Sequence, residues 1–187
     1  MHAFFRDRLR SVLRDAGPVV AHLLRAHPFV FPAVHHVSFR SIRPSRTEAA
    51  LVGFGFREAG AVAMPPPADG EALRTARWFE RPGMPRVLSS RAHLSPGQDP
   101  DAVRRADPYV DWVLRHGEDA VSHLALDLSA YPVDLQTVLD GLSADLDLAT
   151  NPVRTDGAVC QGSCADLPVE FVQRRPGGGG AAFETTR

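Results

Sequence analysis

The sequence contains no lysine, because all 21 of its basic residues are arginine. This absence excludes a Schiff-base lysine and, with it, ordinary pyridoxal-phosphate chemistry. It also excludes a P-loop nucleotide site, in which a lysine must reach the terminal phosphates. The lack of lysine therefore excludes two large classes of protein, the pyridoxal-phosphate enzymes and the P-loop nucleotide-binding proteins.

Cysteine is scarce as well, with only Cys160 and Cys164 in the chain. Two cysteines are too few for a disulfide scaffold, and their spacing differs from the close pairs of zinc ribbons. We expect two reduced thiols in a cytoplasmic protein, with a short disulfide as the alternative.

Long apolar runs and an excess of one charge are also missing. Acidic and arginine residues interrupt residues 1–27, so we expect neither a membrane span nor a signal peptide. The net charge of -1 does not favour nucleic acid as a partner. A chain of 187 residues suits one domain, or two small half-domains that share a core.

The hydrophobic pattern changes its period along the chain. Helical spacing near the N-terminus predicts two short helices separated at Gly17 and Pro18. Period-two segments then alternate with helical ones, so that the order of strand, helix and about three strands occurs twice. The predicted boundaries are a helical segment at 1–32, a first βαβββ module at 33–94, a linker and helix at 95–118, a second βαβββ module at 119–175, and a flexible glycine-rich tail at 176–187.

The first strand of the first module carries polar residues on one face. In VHHVSFRSI the period of two places His36, Ser38 and Arg40 together, with Val37 and Phe39 on the opposite face. His35 competes with His36 as a candidate ligand, but alternation puts it on the apolar face, where we expect it packed or capped.

The second module repeats this arrangement. In VSHLALDL, His123 and Ala125 alternate with leucines, and in PVEFVQ, Glu170 lies between Val169 and Phe171. A carboxylate on a strand of a packed sheet is costly without a partner. Two imidazoles and one carboxylate around a divalent cation would remove that cost.

His36, His123 and Glu170 are therefore the predicted metal ligands. Two histidines and one carboxylate form the facial triad of non-haem Fe(II) enzymes, which leaves positions open for substrate and dioxygen. Manganese, nickel and zinc remain alternatives, since geometry and supply decide among them. Each residue alone is weak evidence, and only the matched modules give the set its weight.

Arg40 is a candidate for substrate binding and catalysis. It follows His36 by four residues, a distance of about 13 Å along a strand. A bidentate clamp on a substrate carboxylate is the functional interpretation, and an arginine extended into solvent is the alternative. A divalent metal, Glu170 and Arg40 would together carry two positive charges, which would balance a dicarboxylate.

These segments resemble the 2-oxoadipate dioxygenase/decarboxylase (hydroxyglutarate synthase) family, DUF1338, of the vicinal-oxygen-chelate superfamily. The similar segments are HHVSFRSI, GFGFREAG, ARWFERPGMPRVLSS, PYVDWVLRHGEDAVSHLALDL and PVEFVQR. The resemblance implies an α+β fold with N-terminal helices and two βαβββ modules that form a cupped sheet around a metal. It implies that His36, His123 and Glu170 hold Fe(II) and that Arg40 holds a substrate carboxylate.

The family reaction is an O2-dependent decarboxylation of a 2-oxo acid, followed by hydroxylation of the shortened acid. For this chain the resemblance therefore implies a small 2-oxo acid, or another carboxylate substrate, and O2 as partners. We expect neither nucleic acid nor a membrane as a partner, and a homodimer is an option. Ser38, Gln161 and Ser163 are further candidates for substrate binding, although ordinary turn residues are the alternative for the last two. A thiol nucleophile at Cys160 is a further option, but no sequence feature indicates a general base beside it.

Two other functions fit the same pattern. One is a different metal-dependent enzyme on this scaffold, such as an isomerase, lyase or hydrolase. The other is a ligand-binding protein without catalysis. Turnover without oxygen would distinguish an isomerase, lyase or hydrolase from a dioxygenase. Ligand binding without turnover, whichever metal is supplied, would identify a ligand-binding protein.

Overall fold

The computed structural model describes residues 2–43, 45–64, 66–156, 159–164 and 167–174, with the side chains of residues 2–9 and 11 left out. The predicted tail at 176–187 lies outside the described residues. The helices are α1 (His2–Ala26), α2 (Arg46–Gly53), α3 (Pro100–Arg104), α4 (Pro108–His116) and α5 (Leu135–Leu146). The strands are β1 (Ala33–Ser41), β2 (Arg57–Val62), β3 (Leu73–Glu80), β4 (Arg86–His93), β5 (Ala120–Asp127), β6 (Arg154–Asp156), β7 (Val159–Ser163) and β8 (Val169–Arg174).

The order of these elements confirms the prediction of two βαβββ modules. The first is β1-α2-β2-β3-β4, and the second is β5-α5-β6-β7-β8. The chain divides into two compact units, one spanning Val37–Ser122 and the other formed by His2–His36 with the residues from His123 onward. Because the divisions fall within β1 and β5, each of these strands contributes residues to both units.

In the first unit, β2 pairs with β3 and β3 with β4, both in antiparallel fashion. Its strand order is β2-β3-β4-β1, and β3 pairs with β4 from Leu73↔His93 to Phe79↔Val87. One cluster of its core contains Ala72, Ala92, Val103, Tyr109, Val110 and Val113. Helix α4 therefore supplies three of the six buried residues in that cluster.

The local sequence fixes both ends of α4. Asp107 is fully buried, and its carboxylate accepts hydrogen bonds from the backbone N–H groups of Tyr109, Val110 and Ala72. Gly117 ends the helix at a φ of 92°, a backbone conformation that only glycine adopts readily. Asp107 and Gly117 therefore bound the helix that carries Tyr109 and Trp112.

The second unit pairs strands in both directions. Its strand order is β5-β8-β7-β6, with β5 parallel to β8 and the other pairs antiparallel. Helix α5 contacts β7 and β8 and buries Leu135, Leu139 and Leu142 completely or almost completely. Gly162 permits this approach, because a Cβ there would lie 2.7 Å from a methyl carbon of Leu139.

Helix α1 corrects the prediction of two short N-terminal helices, since it runs unbroken through Pro18. An internal proline costs about 3 kcal/mol, because it lacks an N–H and its ring crowds the preceding turn. Ala16, Val19 and Leu23 are nearly inaccessible to solvent and continue one apolar stripe past the proline. Burial of that stripe offsets the cost of the proline. The sequence pattern of the segment does not show how much of the stripe is buried, so it predicts a break at Pro18.

Among the described residues, no helix combines the length and the hydrophobicity that a membrane crossing requires.

Candidate metal centre

The candidate ligands are His36 on β1, His123 on β5 and Glu170 on β8, and all three residues belong to the second unit. Ala125 on β5 pairs with Glu170 on β8, so their side chains share one face of the sheet. His123, two residues before Ala125, lies on the same face. The residues that alternate with them, Leu124 and Phe171, are almost completely buried on the opposite face. The apolar face thus packs within the protein while the polar face presents the imidazole and the carboxylate.

The donor atoms of His36, His123 and Glu170 all lie within 4.8 Å of one another. The two Nε2 atoms are 3.0 Å apart, and the Oε2 atom of Glu170 is 3.0 Å from that of His123 and 3.7 Å from that of His36. The side chain of His36 is 5% exposed, and those of His123 and Glu170 are 23% and 21% exposed. One side of the cluster is therefore open to a small ligand.

These separations are those of donors that share one ion. With metal–ligand bonds of about 2.1 Å, a right angle at the ion separates two donors by about 3.0 Å and a tetrahedral angle by about 3.4 Å. A carboxylate oxygen and the Nε2 lone pairs of two neutral imidazoles are all suitable ligand atoms for a divalent cation. A divalent cation would use all three lone pairs, so the residues present fit the group.

His35 departs from the expectation based on strand alternation. Its Nδ1 atom lies 2.9 Å from the Nδ1 atom of His36, and the two rings meet edge to face at 73°. Strand alternation predicts that the side chain of His35 lies on the opposite face of β1 and points away from the site. Simple alternation missed this contact because adjacent imidazoles can reach each other around the strand backbone.

Gln161 and Ser163 lie on β7, beside the strand that carries Glu170. Ser163 pairs directly with Glu170 across the ladder, and Gln161 pairs with Val172, so both side chains share the face of Glu170. The Oγ atom of Ser163 accepts a hydrogen bond from the side chain of Asn151. The structure thus puts both predicted substrate-binding residues on the ligand-bearing face, with Ser163 nearer to Glu170.

Both cysteines are buried and no disulfide joins them, so the alternative of a short disulfide is wrong. Cys160 alternates with Gln161 and belongs to the face of β7 that α5 covers. It lines a separate cavity of about 350 Å³ near the start of α5, together with Gln173 and Tyr131. None of the three candidate ligands lines that cavity.

Arg40 and Ser38 belong to the first unit. Ser38 is buried, and its carbonyl accepts a hydrogen bond from the hydroxyl of Ser122. The guanidinium carbon of Arg40 lies 5.2 Å from the ring centre of Tyr109 and 5.0 Å from that of Trp112. The sequence pattern did not connect these two rings with Arg40, because Arg40 lies about 70 positions earlier in the chain.

Arg40 is half-buried, yet among the described residues it has neither a carboxylate partner nor a hydrogen bond. Burial lowers its pKa, Tyr109 opposes that change, and the positive charge of Arg74 adds to it. The rings attract the cation without neutralising it. Its donors thus remain available to an anion.

Hydrogen bonds fix the position of Tyr109 beneath Arg40. Its hydroxyl donates to the carbonyl of Ser90 at 2.6 Å and accepts from the backbone N–H of Ser41 at 3.3 Å. Burial raises the pKa of Tyr109, whereas its hydrogen bonds with Ser90 and Ser41 lower it. The phenol therefore acts as a fixed, neutral support.

Solved structures share this architecture. Hydroxyglutarate synthase from Oryza sativa, in complex with 2-oxoadipate, matches with a TM-score of 0.65 and 16% identity, over 92% of this chain and 81% of that chain. A candidate hydrolase from Shewanella frigidimarina matches with a TM-score of 0.60 and 14% identity, over 91% of this chain and 92% of that chain. Methylmalonyl-CoA epimerase from Mycobacterium tuberculosis matches with a TM-score of 0.50 and 12% identity, over 76% and 88%.

The chain has a vicinal-oxygen-chelate fold. The resemblance to hydroxyglutarate synthase inferred from the sequence is therefore confirmed at the level of fold. No protein-family model matches the sequence, and no curated protein matches it either. Because the identities are so low, these similarities show the fold and not the chemistry.

Proposed function

We propose that this protein is an Fe(II)-dependent 2-oxo-acid dioxygenase/decarboxylase. The observation that carries the proposal is the convergence of His36, His123 and Glu170 to donor separations of 3.0 to 3.7 Å. Two imidazoles and one carboxylate are the donor set of non-haem Fe(II) oxygenases. Such a set leaves about three positions free, enough for a chelating 2-oxo acid and dioxygen.

Bound Fe(II) would supply the redox chemistry that couples O2 to cleavage of the bond between the carboxylate and the keto carbon. The overall reaction balances without an external reductant. The 2-oxo acid loses CO2, one oxygen atom enters the new carboxylate, and the other enters a hydroxyl group. The product is a hydroxy acid that is one carbon shorter than the substrate.

The role proposed for Arg40 is to bind a carboxylate of the substrate. A half-buried guanidinium that lacks a carboxylate partner among the described residues offers a bidentate fork to an incoming anion. Tyr109 and Trp112 would hold the fork in place while its charge stays unpaired. Ser38, Gln161 and Ser163 would add hydrogen bonds that orient the substrate.

The substrate class that fits best is a 2-oxo dicarboxylate. A divalent ion, one glutamate and one arginine sum to two positive charges, which a dianion would balance. The hydroxyglutarate synthase of similar fold was crystallised with 2-oxoadipate, a member of this class. We therefore take 2-oxoadipate and its shorter and longer homologues as the first compounds to test.

The experiment is reconstitution with Fe(II) under anaerobic conditions, followed by addition of a 2-oxo acid and oxygenated buffer. Oxygen uptake and CO2 release in a ratio near one, with formation of the shortened hydroxy acid, would support the proposal. Protein reconstituted with Zn(II) is the matched control, because it occupies the same donors without redox chemistry.

Other results would contradict the proposal and identify an alternative. Turnover that continues without oxygen would indicate an isomerase, lyase or hydrolase on the same scaffold. Binding of 2-oxo acids without turnover for any metal would indicate a ligand-binding protein. Failure of the protein to bind any divalent metal would remove the basis of the proposal altogether.

A further inference from the structure

The contact between His35 and His36 goes beyond the three predicted ligands. The two Nδ1 atoms are separated by 2.9 Å, which is a hydrogen-bond distance. The other ring nitrogen of His36, Nε2, belongs to the cluster with His123 and Glu170. Both nitrogens of His36 are therefore engaged, one with a neighbouring histidine and one at the candidate metal site.

A hydrogen bond between two neutral imidazoles requires one donor and one acceptor. If His36 donates from Nδ1 and His35 accepts, the Nε2 atom of His36 keeps its lone pair. If His35 donates instead, neutral His36 must carry its proton on Nε2, where it would face the other ligands. Only the first arrangement gives His36 a lone pair that can bind a metal through Nε2.

Burial makes His35 an important partner in this choice. His36 is only 4% exposed, so water competes weakly as an acceptor for its Nδ1 proton. Without the Nδ1 atom of His35, that contact would be lost, and the proton of His36 could move to Nε2. A fixed hydrogen bond on the distal nitrogen is the usual way in which proteins orient metal-binding histidines.

We propose that His35 is a positioning residue that holds His36 in its Nδ1–H tautomer, so that Nε2 is ready for the metal. This inference rests on the proposed metal centre but concerns a residue outside the ligand set. It also accounts for the pair of adjacent histidines on β1, of which strand alternation explains only one.

The test compares two replacements of similar size. His35→Asn keeps an acceptor, because the amide oxygen can occupy the place of the imidazole Nδ1, whereas His35→Leu removes it. We expect His35→Leu to weaken Co(II) or Zn(II) binding about 10- to 100-fold, as for other partners that orient ligating histidines. We expect His35→Asn to remain within about threefold of the wild type, because it preserves the hydrogen bond.

Metal affinity is measured by competition with a chromophoric chelator, after the protein has been stripped of metal. The tautomer is measured separately in the metal-free protein, by two-dimensional NMR that correlates ring nitrogens with ring protons. We expect His36 to be in the Nδ1–H form in the wild type and in His35→Asn, and to shift toward Nε2–H in His35→Leu.

The outcomes separate this inference from the proposed function. If the wild-type protein binds no divalent metal, the metal centre itself is wrong. If it binds metal and His35→Leu binds equally well, the role of His35 is wrong and the metal centre stands. A wild-type His36 in the Nε2–H form would also overturn the inference, and that measurement needs no variant to fold.

Discussion

Replacing Arg40 with methionine removes the guanidinium and keeps a long, unbranched side chain between the rings of Tyr109 and Trp112. The structural loss is small, because two cation–π contacts near 5 Å contribute about 0.5–1 kcal/mol each at partly exposed sites. The substitution also removes the cost of burying the positive charge of Arg40, which offsets part of that loss. Among the described residues, it leaves no carboxylate without an ion-pair partner. We expect the free energy of unfolding to change by less than about 1 kcal/mol.

The functional loss should be much larger. Hydrogen bonds to a charged group contribute about 1.5–3 kcal/mol, so the dissociation constant for a 2-oxo dicarboxylate should rise about 10- to 150-fold. Metal affinity should stay within about twofold, since Arg40 is not among the three clustered donors. The variant thus predicts a stable, metal-loaded protein that binds its substrate poorly.

The assay is an anaerobic titration of metal-loaded protein with 2-oxoadipate, combined with urea denaturation of the same samples. Arg40→Lys is the matched control, because it keeps the charge but loses the planar fork, and its affinity should be intermediate. Unchanged substrate affinity in Arg40→Met, together with destabilisation by more than about 2 kcal/mol, would show that Arg40 has a structural role and does not bind the substrate.

Three further substitutions test other parts of the structure. Glu170→Ala should weaken divalent-metal binding more than about 100-fold, because it removes a ligand atom from the cluster. Equilibrium dialysis measures this affinity, and near-normal metal binding would contradict the assignment of Glu170 as a ligand. Trp112→Leu should raise the substrate dissociation constant about two- to fivefold, because Arg40 loses one of its two cation–π contacts, whereas Trp112→Phe should retain most of the affinity. Equal effects of the two substitutions in a substrate titration would show that the ring of Trp112 does not support Arg40. Gly117→Ala should lower the free energy of unfolding by about 1–2 kcal/mol in urea denaturation, because the φ of Gly117 is 92° and alanine is strained there. Gly53→Ala is the control and should be tolerated, because a Cβ added at Gly53 would have no atom within 4 Å.

Local features of this protein could be predicted from the amino-acid sequence alone. Period-two alternation assigned His123 and Glu170 to the polar faces of their strands, and the structure has their apolar neighbours buried. The order of period-two and helical segments predicted the two βαβββ modules that the structure contains. These features were predictable because each depends on residues only a few positions apart.

Only the tertiary structure decided which side chains meet. His36 and His123 are 87 positions apart, and their 3.0 Å separation depends on packing that no local pattern contains. The contact of His35 with His36 and the rings around Arg40 likewise depend on exact side-chain positions. Helix α1 runs past Pro18 because its apolar stripe is buried, an energy that exists only once the chain has folded.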